Sequence, residues 1–283
     1  MIPQAVILVG GLGTRLAEQF PDVPKGLVPV NGRPFLEWQL DWLRRGGITK
    51  VLLAAGYKGE TFEHYFAHRP ADGMIVVLSR EPKPLGTAGA LRFAKGLLAE
   101  DPVLVLNGDT LVPNLDFSTV WKKVFHSVEK TPEFFHGVEN SRVPSPSRET
   151  QGEREVYSAV PLPGERGSDR DRSGNSFPRC GKIFVAPIEN AGRYGTVEFG
   201  ADGFVTAFRE KAPVAAGFVN AGVYLLPLDV IASIPPGEAV YIERDVFPEL
   251  VKQRRLAAIP VEQPLLDMGT LDGLAKMEAF LQA

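Results

Sequence analysis

Hydrophobic and polar positions follow two rhythms along this chain. Residues 5–9, 51–55, 74–78 and 103–106 are short, nearly unbroken apolar runs, the pattern of strands covered on both faces. Between them Leu36, Leu40 and Leu43 recur at helical spacing, and residues 87–98 are rich in alanine and leucine. Strand and helix patterns that alternate in this way predict βαβ units, and so a parallel sheet with helices on both faces. Beyond residue 183 the rhythm changes. Residues 183–186, 195–199, 204–208 and 219–226 read as short strands divided by turn signals, and Leu274, Met277 and Leu281 give the last segment a helical apolar stripe. The expectation is one α/β domain in two halves, residues 1–126 and 183–283, with a mixed but mostly parallel central sheet and a smaller β-rich part.

Residues 127–182 interrupt this plan. They are dense in Ser, Arg, Glu, Pro and Gly, with few aliphatics after Phe135. A segment of that composition buries little apolar surface, and so long a stretch inside a compact domain reads as a flexible insertion. A strand at residues 156–162 is the one element expected within it.

Composition narrows the partners. The chain has 283 residues, 44% hydrophobic and 23% charged, with 31 basic against 34 acidic side chains and a net charge of −3. No basic excess points to nucleic acid. One cysteine, Cys180, excludes an intrachain disulfide and suits a reducing compartment. The first residues lack a positive region, the apolar run behind them is short, and no stretch approaches the roughly 20 apolar residues of a membrane helix. A cytoplasmic protein without a membrane partner is expected. A homo-oligomer stands as an alternative to a monomer.

The chemistry begins at the end of the first strand. Gly10-Gly11-Leu12-Gly13-Thr14-Arg15 is a glycine-rich turn ending on a cation, and Pro24-Lys25 follows ten residues later. Glycines admit backbone angles closed to other residues, and a chain turning there presents N–H groups suited to phosphate oxygens. Glycines after a first strand are also ordinary turn residues, but Arg15 and Lys25 add positive charge to the same mouth. The stretch lacks the Gly-Lys-Ser/Thr ending of a P-loop and the spacing of the dinucleotide fingerprint.

Further along, Asn107-Gly108-Asp109 closes the strand at 103–106. An Asn-Gly pair ordinarily marks a hairpin. Here it falls at the carboxyl end of a βαβ-type strand, the edge where ligands bind in open sheets, and Asp109 is placed to hold a cation such as Mg²⁺ against phosphate. Asp267, before Gly269-Thr270, is either a second carboxylate for that ion or a helix cap. Glu210-Lys211 reads by itself as a solvated surface pair. Asn220, in an otherwise apolar strand, either satisfies backbone groups or reads a sugar hydroxyl. Pro84-Leu85-Gly86-Thr87-Ala88-Gly89-Ala90 is either a plain helix start or a place where a flat base approaches the backbone closely.

In this order these segments resemble the sugar-1-phosphate nucleotidyltransferase family, the nucleotide-sugar pyrophosphorylases. The resemblance covers roughly residues 1–125 and 183–283. Within the family the chain is most similar to the D-glycero-D-manno-heptose 1-phosphate guanylyltransferases, through residues 29–37 and 192–198. The resemblance implies a Rossmann-like nucleotidyltransferase fold and a Mg²⁺-dependent reaction. In it a nucleoside triphosphate and a sugar 1-phosphate give a nucleotide sugar and pyrophosphate, here GTP and heptose 1-phosphate giving GDP-heptose.

It implies roles as well. Gly10, Gly11, Gly13 and Thr14, with Arg15, would hold the triphosphate, and Lys25 would neutralise charge at the α-phosphate. Gly86 and Thr87 would lie against the base. Asp109 and Asp267 would share Mg²⁺, and Gly108, Glu210, Lys211 and Asn220 would bind the sugar phosphate. Guanine's N1 and N2 donors want an acceptor, for which Glu81 is a candidate. Arg15, Lys25 and Asp109 would carry catalysis. The chain departs from the family at Gly26 and Leu271, where proline is usual, which predicts a looser loop around Lys25, and at the insertion. The alternatives are a mannose- or glucose-1-phosphate enzyme using GTP, UTP or dTTP, and a non-catalytic nucleotide-sugar-binding relative. A glycosyltransferase would show a D-x-D pattern, which Asp109-Thr110-Leu111 lacks.

Overall fold

The computed structural model describes residues 4–11, 15–16, 18–56, 58–70, 72–99, 101–117, 180–189, 195–210, 216–262 and 264–282. Residues 127–179 of the expected insertion, with the strand expected at 156–162, lie outside the described residues.

Four apolar runs form the parallel part of the sheet. β1 (Gln4–Leu8) lies between β4 (Lys50–Ala55) and β6 (Val103–Asn107), and β5 (Ile75–Arg80) adds the outer strand beyond β4. All three pairings are parallel, with Val6 opposite Leu52 and Val105. Successive side chains on a strand point to opposite faces. Ala5 and Ile7 accordingly join one core, with Leu36, Leu40 and Leu43 of α1 (Phe35–Arg45). Val6 joins the other, with Ala88 and Leu91 of α3 (Gly86–Phe93). Each aliphatic side chain so buried contributes roughly 1.5–3 kcal/mol, and an unbroken apolar run is what two-sided burial requires. β5 differs because it is an edge strand: Ile75 and Val77 stay exposed.

The second half builds no sheet of its own. β8 (Gly181–Glu189), β9 (Thr196–Phe199), β10 (Val205–Arg209), β11 (Ala216–Leu226) and β12 (Leu256–Pro260) extend the same nine-stranded sheet. β11 joins the halves: Val223–Leu226 pair antiparallel with β6, while its other edge pairs with β8. The sheet is therefore mixed. β8 begins at Gly181 rather than at Ile183, inside the stretch expected to be insertion.

The short β7 (Thr110–Leu111) pairs antiparallel with β13 (Leu266–Asp267), just before α6 (Leu271–Gln282), the helix expected from its stripe. β12 carries alanines and ends on proline, a weak strand signal; it pairs parallel with β8 along its length and meets Phe204 on its other edge only through a bridge at Ala257, leaving Pro260 at the strand end. No helix among the described residues is long and apolar enough to cross a membrane.

Candidate active site

A cleft of about 460 Å³ opens at the carboxyl ends of β1, β4 and β6, with Leu8, Ala54 and Asn107 in its wall. β1 has β4 on one side and β6 on the other, so the cleft sits where the chain order reverses, the usual ligand position in open α/β sheets. Gly10 and Gly11 line it. A Cβ on Gly10 would stand 3.0 Å from the Gly56 nitrogen, whereas Gly11 has open space around it and is exposed. Gly13 and Thr14 lie outside the described residues. Arg15 is exposed on the following turn, and the next residue, Leu16, anchors that turn in the core.

Lys25 and Asp109 meet in this cleft. Lys25 opens a single 3₁₀ turn (Lys25–Leu27) in which the Leu27 N–H donates to the Pro24 carbonyl at 2.8 Å. Gly26 is buried within 3.5–3.6 Å of the Phe62 ring, measured from where its Cβ would lie. Glycine thus stands where proline is usual in the family, packed against that ring. Asp109 follows Gly108, whose N–H donates to the Leu8 carbonyl at 3.0 Å. A Cβ on Gly108 would lie 2.5 Å from that same oxygen, so only glycine allows the ends of β1 and β6 to approach this closely. The Lys25 Nζ–Asp109 Oδ2 distance is 2.5 Å, with both side chains partly exposed at 18% and 30%.

Asp267 arrives from the far end of the chain. Its pairing opposite Thr110, and the 3.0 Å bond from the Met268 N–H to the Asp109 carbonyl, bring the two carboxylates to one place. Burial holds the Asp267 carboxyl above its ordinary range, and the neighbouring Asp109 charge adds to this. The Gly269 N–H, at 2.7 Å from Oδ1, and the Lys25 and Arg15 charges act in the opposite sense. The Asx-type bond to Gly269 closes a turn ahead of α6, and it is Thr270, whose Oγ1 accepts from the Gly273 N–H at 3.1 Å, that caps the helix, so the cap reading of Asp267 does not hold. Among the described residues no group of three or more His, Cys, Asp or Glu is arranged to hold a metal, and Asp109 and Asp267 form a pair of neighbouring carboxylates.

Glu81 also lines the cleft. It is 8% exposed and seats against Gly56, whose Cβ would collide with Glu81 Oε1, while Glu81 Oε2 finds no hydrogen-bond partner among the described residues. Burial pushes its carboxyl up, opposed only by a hydrogen bond from the Leu85 backbone. A buried acceptor without a donor that faces a cleft is suited to a ligand donor. Gly86 and Thr87 also line the cleft, but their small size serves the protein as well. Gly86 has φ +71°, and its Cβ would fall 2.5 Å from the Val240 carbonyl oxygen. Thr87 Oγ1 accepts from the Ile242 N–H at 2.8 Å.

The residues expected to take the sugar separate. Gly108 lines the cleft; Glu210 is exposed and not part of its wall; Lys211 lies outside the described residues. Asn220 satisfies the protein, its Oδ1 accepting from the Gly222 N–H at 2.9 Å and its Nδ2 donating to the Tyr224 hydroxyl at 2.8 Å. Asn107, Tyr241 and Glu243 line the cleft instead. Asn107 was legible in the Asn-Gly-Asp motif but read only as a turn residue. Glu243 had no local signal, because its tie to the site runs through Tyr224, 19 residues away.

The fold and this cleft define a nucleotidyltransferase, and the chain belongs to the Nucleotidyl transferase family, whose model it matches over residues 4–144 and 177–283. It is 29% identical over 279 residues to the D-glycero-alpha-D-manno-heptose 1-phosphate guanylyltransferase of Aneurinibacillus thermoaerophilus, covering 99% of this chain and 98% of that protein. It is 30% identical over 270 residues to the mannose-1-phosphate guanylyltransferase catalytic subunit beta of Drosophila melanogaster, covering 94% of this chain and 59% of that one. Among solved structures, HddC from Yersinia pseudotuberculosis complexed with GMP-PN superposes with a TM-score of 0.71 at 23% identity, over 99% of this chain and all of that one.

Proposed function

We propose that this protein condenses GTP with a sugar 1-phosphate, best matched by D-glycero-D-manno-heptose 1-phosphate, to give GDP-heptose and pyrophosphate. The observation that carries the reading is the convergence of Lys25, Asp109 and Asp267, from three distant parts of the chain, at one mouth of the cleft. The near full-length likeness to a heptose 1-phosphate guanylyltransferase supports the choice of sugar.

An oxygen of the sugar phosphate attacks the α-phosphorus of GTP and forms a new P–O bond. The bond from that phosphorus to the bridging oxygen breaks, and its electron pair leaves with pyrophosphate. The attacking oxygen is already an anion, so no serine, cysteine or histidine needs activation. The protein's task is in-line positioning and neutralisation of charge. In this reading Gly10 and Gly11 turn their backbone toward the triphosphate, with Gly13, Thr14 and Arg15 continuing that cradle. Lys25 neutralises charge building on the α-phosphate, and Glu81 accepts from guanine N1–H and N2–H.

Asp109 and Asp267 fit a hard divalent cation. Both offer carboxylate oxygens, Asp109 already attracts the Lys25 ammonium, and Mg²⁺ characteristically uses one or two carboxylates together with substrate phosphates. When bound there, Mg²⁺ would supply Lewis-acid stabilisation of phosphate charge.

A matrix of GTP, ATP, UTP and dTTP against heptose, mannose and glucose 1-phosphates, read by pyrophosphate release with Mg²⁺, tests this directly. GTP with heptose 1-phosphate should be turned over fastest. A faster mannose reaction would reassign the sugar, and silence throughout would remove the enzymatic reading.

A further inference from the structure

One polar cluster under the cleft is built more carefully than packing requires. The Tyr224 side chain is fully buried at 0% exposure, just beyond the bulge where β11 slips register against β8 between Asn220 and Tyr224. Gly222 makes that bulge possible: its φ is +68°, and a Cβ there would strike Thr110 Oγ1 and stand 3.2 Å from Asn107 Nδ2. The bulge brings the Tyr224 hydroxyl to the Asn220 amide, whose Nδ2 donates to it at 2.8 Å, with the Asn107 amide packed beside Gly222. A phenol has a single proton to give, and here it goes to Glu243 Oε1 at 2.9 Å. Burial pushes the hydroxyl well above its ordinary pKa, so it remains a donor.

Glu243 is pinned from a second direction. It stands in a single π-helical turn (Ile242–Val246), an irregularity frequent at functional sites, and the start of that turn is fixed by the bond from the Ile242 N–H to Thr87 Oγ1. Its carboxylate lines the cleft beside Asn107, and no described residue donates to Oε2. Lys25 attracts phosphate, whereas a carboxylate repels phosphate and accepts from hydroxyls. Glu81 packs against Gly56 beyond β4, and Glu243 is tied through Tyr224 to β11, which pairs with β6.

We propose that Glu243 accepts hydrogen bonds from sugar hydroxyls of the bound substrate, and that Tyr224, backed by Asn220, is the positioning residue that aims it. The proposal rests on the nucleotidyl-transfer reading. The hydroxyls come from the ribose of GTP or from the sugar 1-phosphate, and deoxygenated substrates separate the two.

The experiment compares kcat/KM for GTP against 2′-deoxy- and 3′-deoxy-GTP, and for the sugar 1-phosphate against its singly deoxygenated forms, in wild type, Glu243→Ala and Tyr224→Phe. Wild type should discriminate against at least one deoxy analogue by about 10- to 100-fold, the scale of a hydrogen bond to a charged group. In Glu243→Ala the discrimination at that hydroxyl should fall to about threefold or less, with the loss confined to the hydroxylated substrate. Tyr224→Phe should reduce it part of the way, and a merely structural tyrosine would leave the ratio alone. Should Tyr224→Phe fail to fold, the exposed Glu243 position decides alone. Loss at the ribose assigns the site to the nucleotide, and loss at the sugar 1-phosphate assigns it to the acceptor. Unchanged discrimination in an active Glu243→Ala protein overturns the inference and leaves the proposed function standing. Absence of any wild-type turnover overturns both.

Discussion

Lys25 Nζ lies 2.5 Å from Asp109 Oδ2, a contact between residues 84 apart in the chain. It joins the turn after the first glycine-rich segment to the turn after the fourth parallel strand. An ion pair this exposed contributes little to stability, so its value lies in what the two groups do to a ligand. Lys25→Ala and Asp109→Ala should each lower turnover by about two orders of magnitude or more, while circular dichroism and melting temperature stay close to wild type. Near-normal turnover in either folded variant would remove the assigned roles.

Glu81 should set the base. A carboxylate offers two acceptors to guanine N1–H and N2–H, whereas an amide offers one acceptor and one donor, the pattern suited to uracil or thymine. In Glu81→Gln, kcat/KM for GTP should fall about 10- to 100-fold relative to UTP. The stability effect has the opposite sense. Burial raises the folded carboxyl's pKa, so the folded protein holds that proton more tightly than the unfolded chain does. The cost of burying the charge is absent below the ordinary glutamate range and grows as pH rises through the elevated folded value. The variant should therefore melt higher than wild type near pH ~7.5, with the difference vanishing near pH ~4. A gain largest at the acid end would contradict this.

Gln39 braces the Asp109 turn from below. It is fully buried on α1, and its Nε2 donates to the carbonyls of Asn107 and Thr110, both at 2.9 Å, on either side of Gly108-Asp109. Gln39→Leu should cost roughly 1–3 kcal/mol of stability, since two carbonyls lose a buried donor. It should also raise the Mg²⁺ concentration for half-maximal rate, measured by metal titration of the pyrophosphate assay. A change in melting temperature with an unaltered metal requirement would limit Gln39 to packing.

The network on the far side of α1 gives a contrasting case. Arg69 donates to Glu37 at 2.6 and 3.0 Å and to Asp72 at 2.7 and 2.8 Å, and Tyr65 donates to Glu37 at 3.0 Å. Burial, together with Glu37, pushes the Tyr65 hydroxyl up to about 12. Arg69→Ala leaves the buried Glu37 with only one ion pair, the longer 3.6 Å contact to Arg33, and should cost about 1.5–3 kcal/mol, the scale of a lost hydrogen bond to a charged group, read as a lower denaturation midpoint. KM for both substrates should hold in the folded fraction.

The parallel half of the fold was legible because two-sided burial writes itself as unbroken apolar runs, and β1, β4 and β6 carry them. The strand at residues 74–78 proved to extend to Arg80, and the Leu36-Leu40-Leu43 stripe gave α1. In the second half the strands were legible as short runs but their partners were not, because short runs say nothing of what they pair with, and the pairing of β11 with β6 is a long-range choice. At the site, Lys25 and Asp109 were marked by residue type at strand ends. Asp267 was legible as a carboxylate, but its approach to Asp109 depends on two-residue strands too short to announce themselves. Glu243 depends on a buried tyrosine and a bulge, and neither has a signature in sequence spacing.

Positional isotope analysis of GTP tests the central claim most directly, because it asks which bond the protein breaks. With GTP labelled at the α-phosphorus, heptose 1-phosphate and Mg²⁺, the account predicts that the label passes into GDP-heptose, while label at the γ-phosphorus leaves as pyrophosphate. Release of γ-label as orthophosphate, or α-label that stays in unreacted GTP, would contradict it.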